Sequence, residues 1–270
     1  MPTATSGSAE LWWESTGDGM PVLLVMGLGM NATGWWRTQK ALSGSFRTIA
    51  FDNRGVGRSS RPPGPYSVAQ MADDAIAVLD AAGAERAHVY GISLGGMIAQ
   101  EIALRHPGRV HGLVLGATTP GGHHATPADA DTLAFFQRRG SMGAEEGVWA
   151  SVPYNYAPAT RAERAQMIGE DIVQRLRYPI EPEPYKAQLA AALGHDAYDR
   201  LPQIAAPTLV VHGDADLMVP PANGDLLARR IPDAELLVLP GAAHLYPTDA
   251  PEADASVARF LSERSSPGPS

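Results

Sequence analysis

Gly91-Ile92-Ser93-Leu94-Gly95 stands between a short β-branched and aromatic run, His88-Val89-Tyr90, and a stretch of helical character from Met97 to Arg105. The order strand, sharp turn, helix constrains this chain more than any other feature. Both glycines are required in such a turn, because a side chain at either one would collide with neighbouring backbone. The turn lifts the Ser93 hydroxyl clear of a sheet and sets it at the start of a helix. There, backbone N–H groups and the positive end of the helix dipole favour a developing negative charge. Alone the pattern is weak evidence, since chance produces it in roughly one chain in ten of this length. The surrounding sequence decides.

That sequence alternates between strand and helix patterns. Pro21 to Met26 is a continuous apolar run, as expected of a central parallel strand covered on both faces, and Thr48 to Phe51 is a shorter one. Gly34 to Leu42 between them is compatible with a helix. Ser67 and Gln70 have capping-box spacing, and Val68, Met71, Ala75, Ile76 and Leu79 then fall on one helical face until Gly83 ends the helix. Strands over Ala87 to Ile92, Val110 to Leu115, Thr208 to Val211 and Leu236 to Leu239 alternate with helices over Leu94 to Arg105, Leu226 to Ile231 and Ser256 to Leu261. The alternation predicts an α/β fold with a mostly parallel, doubly wound sheet. Residues 120–201 break it, with Pro127, Pro153, Pro158, Pro179, Pro182 and Pro184 punctuating short helix-like segments. They are expected to form a helical lid inserted into a core made of residues 1–119 and 202–270. Phe135, Phe136, Trp149, Tyr154 and Tyr156 in the lid either line a pocket facing Ser93 or bind the lid to the core.

At 270 residues the chain suits a single large domain with an insertion. Net charge is −8, and basic residues cluster no further than pairs such as Arg138-Arg139 and Arg229-Arg230, which argues against a nucleic-acid or anionic membrane partner. The absence of cysteine excludes thiolate metal sites and cysteine nucleophiles. Met1 to Ser8 lack the pattern of a signal peptide, and no apolar run reaches the ~18 residues of a membrane span. A cytoplasmic protein is expected, with Ser265 to Ser270 as a disordered tail.

A serine hydroxyl becomes a nucleophile when a histidine takes its proton, and the histidine in turn needs a carboxylate. In an α/β fold with this elbow the order is serine, acid, histidine, each in a loop after a strand. Of eight histidines only His212 and His244 lie beyond Thr208 to Val211, and only His244 follows a further strand, in Pro240-Gly241-Ala242-Ala243-His244. His244 is the candidate base, and His212 is expected to end its strand with a structural hydrogen bond. The loop His212 to Pro220 carries two candidate acids, Asp214 and Asp216, each of which could also merely brace the turn. An oxyanion would be held by two backbone donors, Leu94 after the serine and Leu28 in Met26-Gly27-Leu28-Gly29.

Taken together these motifs resemble the α/β-hydrolase superfamily, from about Leu11 to Leu261. Asp52-Asn53-Arg54-Gly55-Val56-Gly57-Arg58-Ser59 is similar to the family's D-x-R-G-x-G-x-S loop, with Asp52 and Arg54 as bracing residues. Gly213 to Asp216 with Val219-Pro220 resembles its acid loop, and Gly241 to His244 with Pro251-Glu252 its histidine loop. The family acid stands three residues after the glycine and three before the Val-Pro pair, so the resemblance implies Asp216.

The departures are informative. Met26 replaces the histidine the family often has before the oxyanion glycine, which removes a hydrogen bond that steadies that loop and puts Met26 beside the pocket. Serine at position 93 argues against haloalkane dehalogenases and epoxide hydrolases, and Leu245 argues against carbon–carbon bond hydrolases. Gly64-Pro65-Tyr66-Ser67 is similar to 3-oxoadipate enol-lactonases and small esterases. The resemblance implies a serine hydrolase for a small-molecule ester or lactone, with no cofactor and no metal. The same triad also serves thioesterases and perhydrolases, and some relatives bind small ligands with little turnover. The oligomeric state is not legible in the sequence.

Overall fold

The computed structural model describes residues 2–265. An eight-stranded sheet in the order β1-β2-β4-β3-β5-β6-β7-β8 forms its centre. The strands are β1 (Thr3–Ser6), β2 (Ala9–Thr16), β3 (Pro21–Val25), β4 (Arg47–Phe51), β5 (Ala87–Ile92), β6 (Val110–Gly116), β7 (Thr208–Gly213) and β8 (Ala234–Leu239). From β4 to β8 every neighbouring pair is parallel. β1 and β2 add an antiparallel edge, with β2 paired to β4. This is the α/β-hydrolase fold.

The apolar runs of the sequence become strands buried on both faces. In β3, Val22 and Leu24 join an apolar layer with Trp35, Leu42, Val257 and Leu261, while Leu23 and Val25 join the opposite layer with Met71, Leu79, Ile98 and Ile102. The first layer is built on α1 (Trp36–Leu42) and α12 (Ala253–Ser265), the second on α2 (Val68–Ala81), α3 (Leu94–Arg105) and α10 (Ala222–Arg230). Capping of α2 follows the expected chemistry, the Ser67 side chain accepting from the Gln70 N–H at 3.1 Å, and Gly83 leaves the helix at φ +67°.

Between β6 and β7 the described chain is helical. It runs through α4 (Ala130–Arg139), α5 (Ala144–Ala150), α6 (Val152–Asn155), α7 (Pro158–Glu163), α8 (Ala165–Leu176) and α9 (Pro182–Leu193), with a further short helix, α11 (Tyr246–Asp249), after β8. No helix among the described residues is long and apolar enough to cross a membrane.

Three details differ from the sequence reading. The hairpin β1–β2 was not anticipated, because it lies at a sheet edge and buries only part of its side chains, which leaves no clean alternation. The helix expected from Gly34 opens two residues earlier as a 3-10 helix, Ala32–Trp35, with the Asn31 side chain accepting from the Thr33 N–H. Ser265 closes α12, and the rest of the expected tail, positions 266–270, lies outside the described residues.

Candidate active site

Ser93 occupies the turn between β5 and α3 at φ 57°, ψ −122°, a region that a side chain strains at a cost of about 1–3 kcal/mol. The surroundings over-determine it. Ser93 N–H donates to the Gly116 carbonyl at 2.8 Å, and the Ser93 carbonyl accepts from Gly96 N–H (2.8 Å), Met97 N–H (3.2 Å) and the Thr118 hydroxyl (2.7 Å). A Cβ on Gly91 would strike the Gly95 carbonyl, and one on Gly95 would strike the Val25 carbonyl, so both glycines are there for close approach.

The β7 and β8 loops lie against each other. Ala215 N–H donates to the Ala242 carbonyl at 3.0 Å, and a Cβ on Gly213 would strike that same carbonyl. Asp216 and His244 meet across this seam, with His244 Nδ1 2.8 Å from Asp216 Oδ2, and both are buried. The other oxygen, Oδ1, accepts from Met218 N–H (2.8 Å) and Val219 N–H (3.0 Å). Burial pushes the Asp216 carboxyl up. The charge of His244 and the hydrogen bonds of His212 and His244 together outweigh it and hold the group at about 2. A carboxylate so held is an acceptor for a proton on His244 Nδ1, which makes Nε2 the ring nitrogen that could take a proton from a nucleophile.

Asp214, the other candidate acid, accepts from the Gly241 N–H at 2.6 Å and so braces the histidine loop without meeting His244. His212 Nε2 donates to the Val219 carbonyl at 2.9 Å, the structural bond anticipated for the end of its strand. The histidine loop is also tied to the helical segment, through Leu245 N–H on the Asn155 carbonyl at 2.8 Å.

Ser93 and His244 open into one cavity of about 290 Å³, which Leu28 and Leu94 also line. Leu94 is the first residue of α3, so its N–H has no partner within the helix. In the Leu28 loop, Met30 N–H bonds to the Gly27 carbonyl and Gly29 N–H to the Gln188 side chain. Among the described residues nothing accepts from the Leu28 N–H.

Gln188 went unnoticed in the sequence. It is buried in α9, accepts from the Gly29 N–H through Oε1 at 3.0 Å, and donates through Nε2 to the Arg54 carbonyl at 2.9 Å. Asn53 Nδ2 donates to the Met26 carbonyl at 3.0 Å, and Asp52 Oδ1 accepts from the Ala32 N–H at 2.7 Å. The loop deprived of its usual histidine is therefore braced from the helical segment on one side and the Asp52–Asn53 turn on the other.

The aromatic and apolar candidates divide. Phe135 and Phe136 line the cavity. Tyr154 does not. It stacks on the back of Phe135 with centroids 4.3 Å apart, supporting the wall instead of forming it. Trp149 is 54% exposed on α5 and does not line the cavity. Tyr156 is buried in the core layer and bonds to Asp171. Met26 is turned into a separate cavity of about 30 Å³ beside Gly34 and Trp35. Alternate faces of short helices decide these placements, and proline-broken segments too short to show periodicity conceal them from the sequence.

A family model described as alpha/beta hydrolase fold matches residues 20–148. A protein of Azorhizobium caulinodans named "Putative carbamate hydrolase RutD" is 36% identical over 257 residues, 93% of this chain and 94% of its own. A protein of Caulobacter sp. (strain K31) with the same name is 34% identical over 91% of both chains. A thermophilic esterase from Thermogutta terrifontis superposes with a TM-score of 0.84 at 29% identity, over 98% of each chain. The enol-lactonase from Burkholderia xenovorans LB400 also gives 0.84, at 25% identity, over 97% of this chain and 99% of its own.

Proposed function

Since the chain belongs to the α/β-hydrolase family and is a hydrolase of that fold, we propose that it cleaves a carboxylic ester or lactone through Ser93, His244 and Asp216. One observation carries the reading: a buried Asp216–His244 pair at 2.8 Å shares a cavity with a serine held in a strained turn.

In this reading His244 Nε2 takes the hydroxyl proton as Ser93 Oγ bonds to the substrate carbonyl carbon. The carbonyl electron pair moves onto oxygen, where the N–H groups of Leu28 and Leu94 receive it. Collapse of the tetrahedral species breaks the bond to the alcohol oxygen, which leaves with the proton from His244. In a lactone the leaving oxygen stays tethered. Water, deprotonated by His244, then attacks the acyl-serine and regenerates the enzyme. Asp216 fixes the imidazole tautomer and stabilises its cation. Gln188 acts as a positioning residue for the loop that presents the Leu28 donor.

The name shared by the relatives from Azorhizobium caulinodans and Caulobacter sp. supports a second acyl class, a carbamate, attacked by the same serine. The test is a panel of p-nitrophenyl esters of increasing acyl length, simple lactones and an aryl carbamate, turned over by the wild type and by Ser93→Ala. Ester or lactone turnover lost in Ser93→Ala is the expected result. Carbamate turnover alone would move the substrate assignment to the second class, and turnover retained in Ser93→Ala would refute the nucleophile.

A further inference from the structure

The cavity that holds Ser93 is lined by two guanidinium groups, Arg139 from the end of α4 and Arg175 from α8, and among the described lining residues there is no aspartate or glutamate. In a chain of net charge −8 that is a local reversal of sign. Arg139 is 7% exposed, yet among the described residues no carboxylate comes within ion-pairing distance of it. Its ring partner is Tyr185, whose centroid lies 5.1 Å from the guanidinium carbon, and its flank lies against the Cα of Gly147. Arg175 donates to the neutral Ser151 hydroxyl at 3.2 Å and stands beside the Tyr156 hydroxyl, which burial keeps neutral.

Nearby groups of opposite sign are engaged elsewhere or stand in solvent. Asp171, one turn before Arg175 on α8, accepts from Thr248 (2.5 Å), Trp36 (3.1 Å) and Tyr156 (3.3 Å), and lies 3.4 Å from Arg37. Glu146 on α5 is exposed. The Tyr185 phenol stays neutral, since burial pushes it up to about 12 against the pull of Arg139 and Arg175.

A buried guanidinium kept only for packing is normally matched by a carboxylate, because desolvating an unpaired charge is expensive. This chain follows that rule elsewhere: Arg54, equally buried, makes a two-pronged bond to Asp74 at 2.5 and 2.6 Å. Arg139 lacks such a partner, and burial, its largest influence, holds its guanidinium below the ordinary value. Among the described residues, therefore, no charge-compensating group stands beside Arg139 at this wall of the cavity.

We propose that Arg139 and Arg175 form a carboxylate-binding subsite, so that the substrate carries an anionic group at a distance from the carbonyl that Ser93 attacks. The fork of a guanidinium matches a carboxylate in two parallel N–H···O bonds, and two of them in a water-poor pocket select strongly against an uncharged isostere. Which carbonyl is attacked rests on the hydrolase reading above. The binding of the anion does not.

The test has two arms. In the first, kcat/KM is measured for mono-4-nitrophenyl pimelate and for its uncharged isostere, 4-nitrophenyl 7-methyloctanoate, with the wild type, Arg139→Met, Arg139→Lys and Arg139→Met/Arg175→Met. The wild type is expected to favour the anionic ester at least tenfold, the double variant to bring the ratio close to one, and Arg139→Lys to retain part of it. A wild-type ratio of one or below, or a ratio unchanged in the double variant, would overturn the proposal. Because the ratio is internal to each protein, a variant of reduced overall activity still reports on it. The second arm is calorimetric titration with pimelate, which needs no turnover and decides the question if neither ester is cleaved. Binding by the wild type that weakens at least tenfold in Arg139→Met supports the subsite. Equal binding by both, or binding by neither, refutes it and leaves the fate of the hydrolase reading to the ester panel.

Discussion

Gln188→Leu is the most informative single change outside the candidate triad. It removes two hydrogen bonds at once, from Gly29 N–H (3.0 Å) and to the Arg54 carbonyl (2.9 Å), and Leu fills most of the vacated space. The Arg54 carbonyl is buried and the Gly29 N–H half-buried, so each is left with little water to replace its partner. A buried polar group stranded in this way costs about 1–3 kcal/mol. The sum is ~2–6 kcal/mol of stability, or a melting point lower by ~4–12 °C at about 2 °C per kcal/mol for a chain of this length. For activity, outright loss of one oxyanion donor would cost about 3 kcal/mol. The loop still has Asn53 and Asp52 as braces. The expected loss is therefore smaller, about tenfold in kcat, or ~1.4 kcal/mol. KM should change little, because Gln188 does not line the cavity. The assay is steady-state kinetics on a p-nitrophenyl ester beside thermal melting. Gln188→Glu separates the two bonds: it keeps an acceptor for Gly29 and sets a carboxylate oxygen against the Arg54 carbonyl. A Gln188→Leu enzyme with wild-type kcat and a lowered melting point would refute the link between this side chain and the oxyanion loop.

Two further outcomes follow from the buried carboxylates. Asp216→Asn keeps an oxygen for the Met218 and Val219 N–H groups but turns an amide N–H towards His244. This forces the wrong imidazole tautomer and should lower kcat by roughly 10³–10⁴-fold at an unchanged fold, read by kinetics and circular dichroism. The depressed Asp216 value, about 2 against 3.8, also means stability that is present above pH ~4 and lost as pH falls through about 2. The amount is ~2 kcal/mol by linkage, and acid unfolding of Asp216→Asn should lack that component. Asp254 has the opposite sign. Burial raises it from 3.8 to about 6 against a bond from Thr38, so its contribution is fully present below pH ~4 and is lost as pH rises through about 6. Asp254→Asn should therefore raise the unfolding free energy read from urea denaturation at pH 8 by about 2–3 kcal/mol, and leave it nearly unchanged at pH 4. A destabilised Asp254→Asn at pH 8 would contradict this.

What was legible in the sequence is what short-range rules encode. The run Pro21 to Met26 reads as a strand because both its faces are covered, and α2 reads as a helix because its cap, its apolar face and its glycine stop agree over one continuous segment. The elbow reads as a turn because steric collisions at Gly91 and Gly95 leave no other residue type. Ser93 and His244 were singled out because each follows a strand end, which is a local signal, whereas only the resemblance to the family's acid loop separated Asp216 from Asp214. The antiparallel hairpin β1–β2 was missed since its edge position asks for little apolar patterning. Gln188 and Gly29 are 159 positions apart, and nothing in the sequence around either announces the bond. Arg139 was visible only as half of an Arg-Arg pair, and its significance is the carboxylate it lacks, which only tertiary placement reveals. Trp149 and Tyr154 show the same limit, because in a helix of seven residues or fewer a one-position rotation decides between cavity and solvent.

The proposed hydrolysis stands or falls with activation of Ser93 by the buried His244–Asp216 pair. Its most direct test is stoichiometric reaction of the intact protein with a fluorophosphonate, followed by mass spectrometry of the peptides. One adduct per chain is expected, mapped to Ser93, absent in Ser93→Ala and formed at least a hundredfold more slowly in Asp216→Asn. An adduct on another residue, or labelling of Ser93 at the same rate without the Asp216 carboxylate, would contradict it.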